Sequence, residues 1–339
     1  MRNYEKFKSY LHRMHEEAVN ILRGISNLNR HALLKLLEKS PSKEHYWTAK
    51  KLFCHAMYIP MFLLIGRKYF QKLIYIDTHS GPGVAKIGEG DDEVVVGSPL
   101  IAVVWPRIIA SNISSFSKIH NGFDEVHFIE RDLETLNILS HMVKATGING
   151  RVTLHNGDCN IWLAKILKET YETSSSKTRT LFYVFIDPYG DLDSQVAYEA
   201  LLPLTNVNAD IMMSIMALNI ARGLSSLRSE DRKNIAMKIF SKETLEELPS
   251  LLTERKISHE DIINAYQLTM RSLGYKKIEF IPIEFERGVL YYLMLAVKGG
   301  GEWISGFVDY IRNKAPRNYE TLRQLFLQAV GKQKSVIDF

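Results

Sequence analysis

The apolar positions along the chain change their period twice. From Tyr4 to about Arg30 they recur every three or four residues, as in Leu11, Met14, Ala18, Ile21 and Leu22, which predicts an amphipathic helix. A second helix is expected near residues 30–38. A third is expected from about Thr48 through Leu52 and Ala56 to Tyr69, with Pro60 kinking or breaking it. After residue 70 the pattern becomes short, nearly continuous apolar runs: LIYID (73–77), VHFIE (126–130), RVTLH (151–155), LFYVFID (181–187) and ADIMMSIM (209–216). Such runs suit strands covered on both faces. Helical segments separate them, at about 99–109, 133–145, 161–171 and 194–204, the first with Ser98 as cap and Pro99 as its opening residue. Alternation of this kind implies right-handed crossovers and a parallel sheet.

Past residue 217 comes a long helical stretch to about 257, then a helix capped by Ser258 with Asp261 three residues on, ending at Gly274. Two strands follow, KKIEFIPIEF (276–285) and VLYYLMLAVK (289–298), joined by Glu286, Arg287 and Gly288 as a hairpin. A last helical region is expected over about 302–331. The expected fold class is therefore α/β: a Rossmann-like parallel sheet ending in an antiparallel hairpin strand. Its expected organisation is a helical cap over 1–70, an α/β body over 71–300 with 217–257 as a helical insertion, and a helical extension over 301–339. GEGDDE (88–93) and SSSKT (174–178) read as surface loops.

Charge sharpens this division. The chain of 339 residues carries a formal net charge of +5, but residues 1–72 hold fourteen Lys or Arg against five Glu, which leaves the remainder net acidic. A basic helical segment on a neutral body suits polyanion binding, by release of the counterions of a phosphate backbone. It is equally what a solvated helical surface looks like. Cys54 and Cys159 are far apart, with no zinc-ligand spacing, so no metal site or disulfide framework is expected and a reducing, cytoplasmic location is. The charged start MRNYEKFKSY does not resemble a signal segment, and the apolar run 53–66 contains His55 and Pro60, so no membrane association is expected.

The strand ends carry the candidate chemistry. After LIYID the chain reads Asp77, Thr78, His79, Ser80, Gly81, Pro82, Gly83, a small-residue turn that lets a ligand approach the backbone. It lacks the full GxGxxG pattern, which favours a nucleotide-like ligand over a dinucleotide. Glu130 ends the second run, where a carboxylate can accept both ribose hydroxyls, or else serve as a charge near a helix start. Asp158 follows the third, where it can meet an adenine amino group or simply make a turn. Asp187, Pro188, Tyr189 and Gly190 end the fourth, as a substrate edge or a Pro-Gly turn. His79 is a candidate for facing substrate; Cys159 reads as a small buried hydrophobe.

This constellation resembles class I S-adenosylmethionine-dependent methyltransferases. The resemblance implies S-adenosylmethionine as cofactor, with its methionine part over Asp77, Ser80, Gly81 and Gly83, its ribose on Glu130 and its adenine near Asp158. In the members that methylate nucleobase amino groups, the fourth strand ends in Asp or Asn, Pro, usually Pro again, and an aromatic. By that likeness Asp187, Pro188 and Tyr189 are the expected catalytic edge, acting on an exocyclic amino group in RNA or DNA. The second proline is missing here, and the Asp, Pro, Phe, Gly sequence of tRNA guanine-N2 dimethyltransferases is a nearer variant. TAKKL (48–52), YIDTHSGPG (75–83), GSPL (97–100), FIERD (128–132) and FIDPYG (185–190) together are similar to the three-Cys-motif partner family. Membership would imply a neighbouring three-cysteine, radical-SAM-like protein as partner. It leaves open a non-catalytic binding module or a small-molecule methyltransferase, and brings in Lys50, Lys51 and His79 as expected substrate contacts.

Overall fold

The computed structural model describes residues 4–38, 46–87, 93–148, 150–173, 179–253, 256–285, 288–299, 301–317 and 319–331. Residues 88–92 of the expected loop at 88–93, the expected loop at 174–178 and the turn residues Glu286 and Arg287 lie outside them. Seven strands form the main sheet: β1 (Lys72–Asp77), β2 (Glu125–Glu130), β3 (Val152–Asn156), β4 (Thr180–Ile186), β5 (Asn208–Ile215), β6 (Lys277–Phe285) and β7 (Gly288–Val297). Their order across the sheet is β3-β2-β1-β4-β5-β7-β6. β1 through β5 pair in parallel, while β7 runs antiparallel to both β5 and β6. This is the Rossmann-like class I methyltransferase sheet, with its one reversed strand supplied by the hairpin.

Both faces of the sheet are covered, which is why its strands read as unbroken apolar runs. Along β1, Leu73 and Tyr75 join one buried cluster and Ile74 and Ile76 the other. The first cluster also contains Phe7, Leu11 and Met14 of α1 (Glu5–Gly24), Phe53 and Leu63 of α3 (Tyr46–Tyr69), and Ile304 and Phe326 near the C-terminal side. The N-terminal helices thus form the covering layer of one sheet face, in the same core as the helices Glu302–Lys314 and Tyr319–Ala329. α2 (Asn27–Glu38) lies against α5 (Leu133–Ala145).

α3 runs unbroken through Pro60. Its segment Trp47–Tyr69 is long and apolar enough to cross a membrane, but 72% of its apolar window is buried inside the fold, so its composition is that of a core helix. Tertiary packing on nearly every side outweighs the local cost of the proline. A two-stranded ribbon, Val84–Lys86 with Val94–Val96, escaped the sequence reading because three residues are too few to show a period. α4 (Ser98–Asn112) starts one residue earlier than expected: Gly97 is its cap and Ser98 its first residue, which frees the serine hydroxyl for another partner. The expected helix at 194–204 is reduced to Tyr198–Leu201 and a 3₁₀ turn, Leu202–Asn206.

Candidate functional site

The sheet order reverses direction between β1 and β4, and open α/β sheets hold their ligands in the crevice beyond the carboxyl ends of such a strand pair. The turn after β1 is drawn tight by its own polar groups. Asp77 Oδ1 accepts from the His79 backbone N–H at 3.2 Å, and the Ser80 hydroxyl donates to the Asp77 carbonyl at 3.2 Å. Gly81 and Gly83 have φ of +61° and +91°, a region that side chains disfavour. A Cβ on Gly81 would meet no protein atom within 4 Å, so the turn presents bare backbone to open space.

Glu130, at the end of β2, closes this turn from the side. Its Oε2 accepts from Gly81 N at 2.9 Å and its Oε1 from Asp132 N at 3.0 Å. Two backbone donors fix the carboxylate and leave each oxygen a lone pair. Asp158 caps α6 (Cys159–Thr173): its Oδ1 accepts from Asn160 N at 2.8 Å and from Asn160 Nδ2 at 3.0 Å. The carboxylate itself is exposed. Bare glycine backbone, a fixed carboxylate and a second, exposed carboxylate on the next strand end fit the aminoacyl, ribose and adenine parts of S-adenosylmethionine.

Across the crevice, Asp187 follows β4 and meets Lys51 of α3, whose ammonium donates to its Oδ2. Burial alone would raise the Asp187 pKa, but Lys51 outweighs it and holds the carboxyl below its ordinary range. The Ser214 side chain, which hydrogen-bonds the same carboxylate, lowers it further. Pro188 is buried, whereas Tyr189 is 68% exposed. That exposed ring stands on a rigid loop: the Ser194 hydroxyl donates to the Tyr189 carbonyl, and Gln195 Nε2 donates to the same carbonyl at 3.1 Å and to that of Asp191 at 2.8 Å. Gln195 is buried and its Oε1 accepts from the Tyr266 hydroxyl at 3.1 Å. A Cβ on Gly190 would lie 2.8 Å from Asn219 Nδ2, so the glycine lets the loop pack against that amide.

Beneath the crevice lies a buried polar chain. The Tyr75 hydroxyl donates to Asp77 Oδ2 at 3.1 Å and stands 3.3 Å from His55 Nε2, while His55 Nδ1 is 2.8 Å from the Tyr183 hydroxyl. Burial lowers the His55 pKa to about 3, so the ring is neutral. Burial pushes the Asp77 carboxyl up to about 7, opposed by the Ser98 hydroxyl that hydrogen-bonds it and assisted by the nearby charge of Asp187.

The structure brings Asp77, Ser80, Gly81, Gly83, Glu130, Asp158, His79, Lys51, Asp187, Pro188 and Tyr189 to one sheet edge. His79 sits between the two sides: Nδ1 is 2.8 Å from Thr78 Oγ1 and Nε2 is 3.6 Å from Cys159 Sγ. Burial pushes the Cys159 thiol up to about 12, so it stays protonated. Lys50 is separated from this group; it is buried, and its ammonium donates to the Pro282 carbonyl in β6 at 3.3 Å. Sequence reasoning passed over Ser98, Tyr75, His55, Ser194, Gln195 and Asn219. Ser98 and Tyr75 left a signal, through the GSPL and YIDTHSGPG stretches that contain them.

No family model matches the chain, and no curated protein matches it. Solved structures align with it at low identity. A protein from Legionella pneumophila, of the family model DUF519, is 12% identical over 84% of this chain and 94% of that one, with a TM-score of 0.41. The O-methyltransferase from Bacillus cereus in complex with SAH is 12% identical over 78% and 96%, with a TM-score of 0.33. A methyltransferase from Geobacter sulfurreducens is 15% identical over 78% and 94%, with a TM-score of 0.29. These are likenesses of outline; the strand order of the sheet identifies the fold.

Proposed function

We propose that the protein is an S-adenosylmethionine-dependent methyltransferase acting on an exocyclic amino group of a nucleobase in nucleic acid. The observation that carries this reading is the pairing of an ionised, oriented carboxylate, Asp187, with an exposed ring, Tyr189, on a rigid loop facing the Gly81–Glu130 turn. Asp77 to Gly83 would hold the amino-acid part of the cofactor, Glu130 the ribose and Asp158 the adenine. The bound cofactor supplies a methyl group on a positively charged sulfur.

The chain's own residues supply orientation. Asp187 Oδ1 accepts one hydrogen of the substrate amine, and the Pro188 carbonyl accepts the other, which turns the nitrogen lone pair toward the methyl group. The carboxylate offsets the positive charge that develops on nitrogen. With Lys51 on Oδ2 the carboxylate is a weak base, so it orients the amine; as the N–C bond forms the C–S bond of the sulfonium would break, and the surplus proton of the methylated nitrogen passes to solvent. Tyr189 offers a face for base stacking, worth roughly 1–3 kcal/mol.

Two measurements test this in sequence. Calorimetry with S-adenosylmethionine and with its demethylated product should give heat for both. Methyl incorporation into total RNA and DNA should then occur with wild type, fall strongly in Asp187→Asn, and vanish in Asp187→Ala. Absence of heat at millimolar ligand removes the cofactor claim. Cofactor binding without incorporation, alone or with a three-cysteine protein present, would favour the binding-module reading.

A further inference from the structure

At the opposite edge of the sheet, where the parallel strands begin, the surface is cut by a groove that the methyl-transfer reading does not use. A cavity of about 810 Å³ is walled by Arg13 and Arg23 of α1, Arg107 of α4, and His120, with Glu16 and Glu17 also on its α1 side. A second cavity, of about 420 Å³, continues it and shares Arg107 and His120, adding Arg151 at the approach to β3. Four guanidinium groups therefore line one continuous path, against two carboxylates. Among the described residues neither Arg23 nor Arg107 closes an ion pair. Arg13 makes only a 3.5 Å contact to Asn112, and Arg151 donates to the Phe123 carbonyl at 3.0 Å. Burial raises the pKa of Glu17, opposed by the nearby charge of Arg107.

We infer that this groove holds the phosphodiester backbone of a nucleic acid whose target base is presented at the opposite edge. The guanidinium fork suits phosphate oxygens, and cations spaced along two joined cavities suit a chain of phosphates better than one small anion. Distance fits as well. α4 opens at Ser98, against Asp77, and closes at Asn112 in the groove wall, so its 15 residues measure about 22 Å between the two places. That is roughly six steps of duplex rise. The inference deepens the proposed function and rests on it for the identity of the polyanion.

The probe is a 5′-fluorescein U15 RNA followed by anisotropy from 50 to 300 mM KCl, on the full chain. Wild type should bind, with log affinity falling linearly in log salt. Arg107→Ala should reduce the magnitude of that slope by about 0.7, the worth of one phosphate contact on a single strand. Arg23→Glu, at an exposed position, should weaken binding roughly tenfold at 50 mM salt. Arg228→Glu, exposed on the other face, should leave slope and affinity unchanged, and unlabelled dT15 should compete. No binding by wild type, no competition by dT15, or wild-type slope and affinity in both groove variants overturns the inference. Calorimetry with S-adenosylmethionine on the same proteins separates the two claims: U15 binding that depends on Arg107 with no cofactor heat defeats the proposed function and leaves the groove standing.

Discussion

Lys51 and Asp187, 136 residues apart, form one ion pair at the edge of the crevice, so the helix that covers the sheet also sets the charge and direction of the proposed substrate carboxylate. Removing the ammonium leaves Asp187 to the burial that opposes its ionisation. Lys51→Met should therefore raise the Asp187 pKa and move the acidic limb of the pH–rate profile to higher pH. Because both side chains retain some exposure, the stability cost should be about 3 kcal/mol, the lower end for a broken buried pair. Denaturant unfolding and the pH profile of methyl incorporation check the two parts. An unchanged acidic limb would detach Lys51 from the chemistry.

Glu130 is expected to act through both of its oxygens. Glu130→Ala frees the Gly81 and Asp132 backbone donors and removes the ribose acceptor, so affinity for S-adenosylmethionine should fall at least tenfold, a charge-assisted hydrogen bond being worth about 1.5–3 kcal/mol. Glu130→Gln should lie between. Calorimetry reads the affinity, and a melting curve without ligand shows how much of the loss belongs to the turn itself.

Gln195 is expected to be a positioning residue for Tyr189. Gln195→Leu removes the donor to two backbone carbonyls and leaves the buried Tyr266 hydroxyl without its acceptor, at a cost of about 2 kcal/mol in stability. With the loop loosened, KM for nucleic acid should rise about tenfold while cofactor affinity stays at wild type. Tyr189→Ala should reproduce the KM effect without the loss of stability, since its ring is exposed. Equal KM values in wild type and both variants would make the loop a plain turn.

The pH dependence of stability has a test away from the site. Asp210, buried and accepting from the Tyr58 hydroxyl at 2.7 Å, has its pKa raised by burial from 3.8 to about 7. The folded chain keeps this proton up to about pH 7, whereas the unfolded chain loses it near pH 4. Its stabilising contribution is thus complete below pH 4 and lost as pH rises to 7, by about 4 kcal/mol. Asp210→Asn should gain on wild type by that order between pH 4 and pH 8. Buried His55 works in the other direction: the unfolded chain takes up its proton below about 6.5, so stability is lost on acidification. The comparison of Asp210→Asn with wild type at each pH cancels that contribution. A constant difference between the two would show that Asp210 is ionised in the fold.

Why the strands were legible and the ion pair was not follows from what a sequence encodes locally. Tyr75 and Ile76 are both buried, on opposite faces, so LIYID shows no polar alternation before Asp77, and each main-sheet strand lies within a residue of its expected bounds. Glu130 and Asp158 stand out as carboxylates just after such runs. Lys50 and Lys51 are neighbours about 100° apart on a helix, and the way α3 lies across the sheet sends one to Pro282 and the other to Asp187. Local periodicity contains no term for that tilt. Gln195 was silent for a similar reason, since its partners Tyr189 and Tyr266 come together only when the loop folds back onto the helix His259–Ser272.

His12 of α1 reaches the carbonyl of Ala329 with its Nδ1 at 2.8 Å, across 317 residues of chain. At synthesis rates of roughly 5–20 residues per second, between about 15 and 60 s separate the emergence of these two partners from a ribosome. Through that interval Phe7, Leu11 and Met14 lack part of the cover that Leu325 and Phe326 will bring. While those 317 residues are being made, α1 therefore carries an incompletely covered apolar face.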